Sequence, residues 1–372
     1  MKKAFIVLFV CLCLIVLHSF AESKEVKVGL VFPMSGILAQ AGDSFKKAAV
    51  LAFEEISASG MLKSKDITLT YAIEDGQCNP EPAVKATEKL IAQDKVEILI
   101  GEFCSSATLA VSAVSRKQEI PFVAFSSGAT NVTSEGHKWV VRTIPNNDQT
   151  NMALADLIKK NFAGATVATL YPINDWGIDA DKILSEDLTK SGFKIVDRLG
   201  VQANETNFYS VLTKLKGLKP KVVAFSTYGT GVPAMFRQAK EVGLDTKWVT
   251  LQQPIYEDQA GPLAHGVIRA MFFFASPQNA KATEFEKKIR TKFNKEPDTY
   301  MAESYDAVYV VADALKRGGP TKEGFLNALR STKDYMGVMG PITLDEKGQS
   351  LAKGRITFVE LQAGKPKLVY AY

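Results

Sequence analysis

The sequence predicts an α/β protein built from two separate units, each with a parallel β-sheet covered by helices on both faces. Short apolar, β-branched runs alternate with longer amphipathic stretches along the chain. This alternation is the pattern of parallel sheets. It begins at Val26, stops near residues 143–147 and then starts again. The length of 372 residues also favours two domains over one.

The first unit alternates predicted strands with predicted helices. Asp43 is the predicted N-cap of the first helix, because aspartate accepts hydrogen bonds from the free amides of a helix start. The predicted strands cover residues 26–32, 67–74, 96–100 and 122–125, and the predicted helices cover residues 43–57, 82–93 and 105–117.

The second unit repeats the alternation from residue 148. Its predicted helices cover residues 148–161, 175–190, 208–216 and 232–242, and its strands 166–171, 193–199, 221–226 and 248–251. The remaining chain predicts an apolar segment at 267–274, helices at 283–293, 300–316 and 322–330, and then short strands and turns.

The first 21 residues, MKKAFIVLFVCLCLIVLHSFA, are typical of a secretory signal peptide. Two lysines precede an apolar run over residues 4–17, and small residues precede the expected cleavage after Ala21. The alternative is a membrane anchor, but this run is shorter than the ~20 residues that a spanning helix needs. We therefore expect residues 1–21 to be removed on export.

Composition excludes some classes of partner and leaves one candidate disulfide. The net charge of +5 is spread out, without the basic stripe of a nucleic-acid-binding protein. Export leaves Cys78 and Cys104, a candidate disulfide in an oxidising compartment that closes a loop of about 26 residues. A metal site is the alternative, but His137 and His265 lie at no ligand spacing from the cysteines, and we expect no metal.

Two hydroxyl-rich segments follow neighbouring strands of the first unit. GEFCSSAT at 101–108 puts Ser105 in the first turn of a helix, where free amides and the helix dipole favour a small carboxylate. Ser105 could instead be an N-cap only. FSSGATNVT at 125–133 follows the next strand, on the same edge of the sheet. Together the two segments favour a binding site for a polar head group.

Aromatic and amide side chains occupy the corresponding strand ends of the second unit. Trp176 follows the strand at 166–171, Tyr228 follows the strand at 221–226, and Gln252 ends the strand that begins at Trp248. Because ligands bind beyond the carboxyl ends of parallel strands, the two sheets should face each other across a cleft.

The chain resembles the leucine/isoleucine/valine-binding family of type I periplasmic binding proteins. The resemblance covers nearly the whole exported chain, and its motifs are informative through their order and spacing. They are VGLVFPMSGILAQAGD, EDGQCNP, GEFCSS, VVRTIPNNDQ, FRQAKEVGL, AESYDAVYVVADAL and VMGPITLDEKG.

The resemblance implies a fold and its boundaries. Two Rossmann-like lobes with parallel sheets are joined by a three-crossover hinge and close on a ligand. Lobe I takes residues 22–144 and 275–354, and lobe II takes residues 145–274 and 355–372. The resemblance also implies a disulfide between Cys78 and Cys104.

The resemblance further implies roles for particular residues. Ser105 would bind the ligand carboxylate through its hydroxyl and amide, with Phe103 and Cys104 lining the pocket. The segment formed by Ser126, Ser127, Gly128, Ala129 and Thr130 would supply a carbonyl to the ammonium and a hydroxyl to the head group. Rings contacting the ligand would come from Trp176, Tyr228 and Tyr300.

Two residues depart from the pattern of branched-chain amino-acid binders. Gln252 stands where those proteins carry a glutamate that pairs with the ligand ammonium, and a charged hydrogen bond is worth roughly 1.5–3 kcal/mol. Ala41 stands where they carry an aromatic that helps to close the pocket. Both changes favour another amino acid, an amide, or an aromatic or aliphatic carboxylate over leucine.

The expected function is that of a periplasmic, monomeric receptor that delivers a small carboxylate-bearing solute to the membrane permease of an ABC importer, without a cofactor. A periplasmic co-receptor for a signalling protein is the alternative. Glu303 and Asp306, three residues apart on a helix, favour a hinge or lobe-face role over acid–base catalysis. We therefore expect no enzyme activity.

Overall fold

The computed structural model describes residues 23–227, 231–251, 260–273, 279–362 and 365–372. The predicted signal peptide, Tyr228 and Gln252 lie outside the described residues. Within that part of the chain, no helix has the length and apolar character to cross a membrane, and no three metal-ligating side chains cluster.

The first sheet has five strands, all parallel, in the order β2-β1-β3-β4-β5. Three of its strands, Ile98–Gly101, Phe122–Ala124 and Val140–Arg142, are buried along their whole length, as expected for a sheet with helices on both faces. In chain order they are β1 (Lys24–Phe32), β2 (Ile67–Asp75), β3 (Ile98–Gly101), β4 (Phe122–Ala124) and β5 (Val140–Arg142).

The second sheet has seven strands in the order β14-β13-β10-β9-β8-β6-β7. Five are parallel, as predicted, and β13 and β14 extend the sheet at one edge with antiparallel pairings. The strands are β6 (Thr166–Pro172), β7 (Lys194–Val201), β8 (Val222–Phe225), β9 (Lys247–Thr250), β10 (Ile268–Met271), β13 (Thr357–Gln362) and β14 (Lys365–Ala371). A small hairpin pairs β11 (Tyr335–Gly337) with β12 (Gly340–Ile342).

Ten longer helices cover the two sheets in the described part of the chain. In the first half they are α1 (Ala39–Ser59), α2 (Pro80–Ala92), α3 (Ser105–Gln118), α4 (Asn147–Asn161) and α5 (Asp175–Lys190). The second half holds α6 (Tyr209–Leu218), α7 (Gly231–Val242), α8 (Ala280–Phe293), α9 (Thr299–Gly318) and α10 (Lys322–Arg330).

Helix α1 begins four residues earlier than the sequence predicts. Its N-cap is Leu38 rather than Asp43, and the Asp43 carboxylate instead accepts a hydrogen bond from Lys47 one turn later, at 2.6 Å. Apolar contacts explain the early start, because Leu38 and Ala41 are both buried in the core of the first unit. Tertiary burial has outweighed the local capping preference.

Helix α9 lies at the centre of the first unit's core, although it follows the second unit in the sequence. Its residues from Thr299 to Val308 are all buried. Tyr300 packs edge-on against Phe45 of α1 and against Phe103, with ring centroids 5.4 Å apart in both pairs. The chain therefore returns to the first unit after the second sheet is largely built.

Candidate functional site

A cavity of about 330 Å³ lies between the two units. Seven of the residues predicted from the sequence line it: Phe103, Cys104, Ser105, Ser126, Gly128, Trp176 and Tyr300. Other lining residues come from both units and include Ile37, Leu38, Asn147, Thr150, Asn174, Asp175, Leu251, Phe272 and Glu303. The volume falls within the range of small-molecule sites.

Ser105 is the first residue of α3, and Cys104 rather than Ser105 is the N-cap. The interpretation of Ser105 as a simple N-cap is therefore wrong. Its Oγ accepts hydrogen bonds from the Ser127 hydroxyl at 3.1 Å and the Ala129 amide at 3.2 Å. Because a hydroxyl has one proton and two acceptor positions, these two bonds leave the Ser105 proton available for another acceptor. The first amides of α3, which have no partner within the helix, lie beside it.

Ser127 and Ala129 support Ser105 and are not among the described residues that line the cavity. Their carbonyl oxygens accept from Nη1 of Arg142, at 2.9 and 2.7 Å. Burial lowers the pKa of Arg142 to about 9. Arg142 also donates to Gln349 at 2.7 Å, so a buried side-chain network fixes this loop.

Thr130 contacts the second unit rather than the cavity. Its amide and hydroxyl both donate to Oδ2 of Asp179 on α5, at 3.0 and 2.8 Å. The same oxygen accepts from Asn147 Nδ2 at 2.9 Å. One carboxylate oxygen thus joins the two units beside the cavity.

Gly128 allows a close approach of the two units. A Cβ on Gly128 would lie 2.8 Å from Nε1 of Trp176 and 2.9 Å from Oδ1 of Asn147, closer than real side chains approach. Any larger residue would have to displace Trp176, which comes from the opposite wall.

The disulfide between Cys78 and Cys104 is present, as predicted. Both cysteines line the cavity, so the bond ties the loop after β2 to the start of α3. Next to it, Glu102 is buried, and its Oε2 accepts from the amides of Phe103 and Cys104 at 2.6 and 2.9 Å. Burial raises the pKa of Glu102 to about 7, against the lowering effect of those amides.

Glu303 is a site residue that sequence reasoning missed. It lines the cavity, and its Oε2 accepts a hydrogen bond from the Ser126 hydroxyl. Burial raises the pKa of Glu303 to about 8, although the Ser126 hydrogen bond and the charge of Arg355 lower it. The signal was available in the sequence: Glu303 lies three residues after Tyr300, hence on the same face of a helix.

Asp306 differs from Glu303 in its surroundings. Its carboxylate accepts hydrogen bonds from the amides of Val338 and Met339, at 2.7 and 3.0 Å. Asp306 therefore holds the turn between β11 and β12, whereas the sequence predicted a hinge or lobe-face role for both acids. Ala41, the second residue that departs from the pattern of branched-chain amino-acid binders, is buried in α1. Ile37 and Leu38, which precede it in the chain, line the cavity.

Two α/β units that enclose a solute-sized cavity define a class of two-lobed binding proteins. A family model described as periplasmic binding protein matches residues 25–366, and the chain belongs to this family. One relative, the leucine-, isoleucine-, valine-, threonine- and alanine-binding protein of Pseudomonas aeruginosa, is 25% identical over 350 residues, covering 92% of this chain and 91% of the relative. An amino acid binding protein of the same organism is 28% identical over 341 residues, covering 89% and 88%.

Solved structures show the same fold. The branched-chain amino acid transporter substrate binding protein LivJ of Streptococcus pneumoniae, in complex with isoleucine, has a TM-score of 0.83 and 25% identity, covering 93% of this chain and 99% of LivJ. An ABC transporter solute binding protein from R. palustris, in complex with benzoate, also has a TM-score of 0.83, with 22% identity and coverage of 94% and 96%. The predicted fold class is therefore confirmed.

Proposed function

We propose that this protein is the periplasmic receptor of an ABC importer and binds a small carboxylate-bearing ligand between its two lobes. The observation that carries the proposal is the cavity wall at Ser105, where a hydroxyl proton and a helix N-terminus meet beside aromatic rings. Such a wall suits a carboxylate attached to an apolar group. The ligands in the titles of the two solved structures, isoleucine and benzoate, share this chemistry.

Within this proposal, Ser105 and the first amides of α3 bind the carboxylate. Phe103, Trp176 and Tyr300 contact the apolar part of the ligand. Tyr228 and Gln252, which lie outside the described residues, remain proposed contacts from the second lobe.

The proposed cycle is closure on the ligand followed by delivery to the membrane permease. Lobe I is proposed to comprise residues 22–144 and 275–354, and lobe II residues 145–274 and 355–372, with the hinge between them. Export with cleavage after Ala21 and a monomeric state complete the proposal. The relatives named above with a transport role favour delivery over a sensory role.

A thermal-unfolding screen of the exported, processed protein tests the proposal. The panel contains amino acids, aliphatic acids and aromatic acids, each paired with the alcohol that lacks its carboxylate. We expect at least one carboxylate to raise Tm and its alcohol to leave Tm unchanged, because only ligands that bind the native state raise it. If alcohols and acids act alike, or no acid acts, the proposed function is wrong.

A further inference from the structure

A buried carboxyl group lies directly behind the cavity wall at the start of α3. Glu102 is fully buried, and its Oε2 accepts hydrogen bonds from the amides of Phe103 and Cys104 at 2.6 and 2.9 Å. Cys104 is the N-cap of α3, and both amides belong to residues that line the cavity. Glu102 therefore brings a carboxyl group to the same helix end that we propose for the ligand, from the protein side of the wall.

The second oxygen of this carboxyl group, Oε1, is enclosed by the loop after β2. It has no hydrogen-bond partner among the described residues. A Cβ on Gly76 would lie 2.5 Å from Oε1 and 2.9 Å from Cγ1 of Val31, so the loop packs directly on the carboxyl group. Asp75, at the end of β2, acts on Glu102 with a further negative charge. Ionisation in such surroundings is costly, and uptake of a proton removes the cost.

These surroundings bring the titration of Glu102 to neutral pH. Burial has the largest effect and raises the pKa of Glu102 to about 7, while the amides of Cys104, Phe103 and Cys78 lower it and Asp75 raises it. In the empty protein at pH 7 the carboxyl group is therefore about half ionised. A charge that arrives beside it will shift this balance.

The proposed ligand brings a second carboxylate to the same helix end. The amides of Ser105 and Ser106 follow directly on those that Glu102 holds, and both serines line the cavity. The two carboxylates would thus bind successive amides of one chain. Two carboxyl groups that share a site raise the pKa of one of them. A simple acid with a pKa of roughly 4 stays ionised, so Glu102 takes the proton.

We propose that Glu102 couples ligand binding to proton uptake, so that a carboxylate binds at Ser105 together with a proton on Glu102. The inference rests on the proposed function and adds a residue behind the cavity wall that tunes the affinity. The proton goes to Oε1, which has no partner, and Oε2 keeps its hydrogen bonds to the amides of Phe103 and Cys104. The wall therefore keeps its shape in both protonation states.

The affinity for a carboxylate should fall as the pH rises from 6 to 8. The empty protein loses the Glu102 proton around its pKa of about 7, whereas the complex keeps it to higher pH. If binding raises the pKa of Glu102 by about one to two units, the affinity falls roughly five- to tenfold over this range.

Two other acids, Glu303 and Asp175, line the cavity. The pKa of Glu303 is about 8, so this group is already mainly protonated at pH 7 and can take up little more. Proton uptake at pH 7 therefore reports on Glu102 rather than on Glu303.

Calorimetry with L-isoleucine, benzoate and the other acids of the thermal-unfolding panel tests the inference. Titrations of the wild type at pH 7 in buffers of different ionisation enthalpy should show about 0.4–0.5 proton taken up per ligand. Glu102→Gln keeps an oxygen that can accept from the two amides but cannot take up the proton. The variant should take up less than about 0.1 proton, and its affinity should change less than about twofold from pH 6 to 8.

Glu119→Gln is the matched control, because it removes an exposed carboxylate at the C-cap, the opposite end of α3. This variant should match the wild type in affinity and proton uptake. Thermal unfolding without ligand reports whether both variants fold, and the uptake by the wild type tests the inference without either of them. If the wild type takes up no proton at pH 7, or Glu102→Gln takes up as much as the wild type, the inference is wrong and the proposed function stands. If no acid of the panel binds, the proposed function itself fails and the inference fails with it.

Discussion

Ser105 has one hydroxyl that serves both the fold and the proposed ligand. It accepts from Ser127 and from the Ala129 amide, which joins the two hydroxyl-rich segments, and it retains its own proton. Because both accepted bonds come from groups that are buried, the oxygen is held in place before a ligand arrives. Such preorganisation reduces the entropy that binding must remove.

Replacement of Ser105 by alanine should weaken binding of the carboxylate ligand about ten- to a hundredfold. The loss corresponds to the ~1.5–3 kcal/mol of a hydrogen bond to a charged group. Calorimetry with the ligand found by thermal unfolding measures it.

Ser112→Ala is the control for this substitution. Ser112 is a buried residue of the same helix, and its hydroxyl has no hydrogen-bond partner among the described residues. The affinity of the Ser112→Ala variant for the ligand should equal that of the wild type. Equal affinities for all three proteins would contradict the role of Ser105.

Residues near a strand end could be predicted because their position follows from local pattern. Ser105 and Ser126 line the cavity as expected, and so does Tyr300, a helix residue that only the family resemblance implied. Thr130 was predicted to face the ligand and instead bonds Asp179, a residue 49 positions later whose approach no local pattern encodes. Glu303 was not among the predicted ligand contacts: its spacing from Tyr300 puts it on the same face of the helix, but the pattern does not distinguish an acid that lines a cavity from one that, like Asp306, accepts from a pair of backbone amides.

At the scale of elements, the start of α3 is held by the loop after β2. Cys78 and Gln77 have positive φ angles of 54° and 52°, and Asn79 is the N-cap of the next helix, α2, with a side chain that accepts from the Glu81 amide at 3.2 Å. The turn thus delivers Cys78 to Cys104 at the N-cap of α3. The pairing was predictable from cysteine count, whereas the turn was not.

Removal of this disulfide in the double variant Cys78→Ala, Cys104→Ala should lower the free energy of unfolding by about 2–4 kcal/mol. The physical reason is the greater freedom of the unfolded chain when a loop with a sequence separation of 26 is released. Urea denaturation followed by circular dichroism measures the change.

Reducing agent provides the internal control. It should destabilise the wild type by a similar amount and leave the double variant unaffected. Equal urea midpoints for the oxidised wild type and the double variant would show that the bond does not stabilise the native state.

At the scale of the whole molecule, the sequence predicts two units but not which sheet the last strands of the chain join. The restart of the alternation after residue 147 predicts the second sheet correctly, since local hydrophobic period defines each strand and helix. The antiparallel strands β13 and β14 at its edge come from the end of the chain. Short strands in that segment were foreseen, but their partner sheet was not, because pairing across about a hundred residues depends on tertiary contacts.

The contact of the two units at Gly128 leads to a prediction about closure. Alanine at this position would meet Trp176 and Asn147 at 2.8 and 2.9 Å, so the lobes could approach as closely only after Trp176 moves. Gly128→Ala should therefore fold normally, bind ligand at least about tenfold more weakly and close incompletely. Small-angle X-ray scattering should show that saturating ligand compacts the wild type more than the variant.

Gly217→Ala is the matched control for Gly128→Ala, because a Cβ on Gly217 would meet no atom within 4 Å. It lies in helix α6, where alanine is favoured over glycine by about 1 kcal/mol. This variant should bind and compact like the wild type, with equal or greater stability. Full compaction and normal affinity in Gly128→Ala would mean that the close approach of Trp176 to Gly128 is not needed for closure.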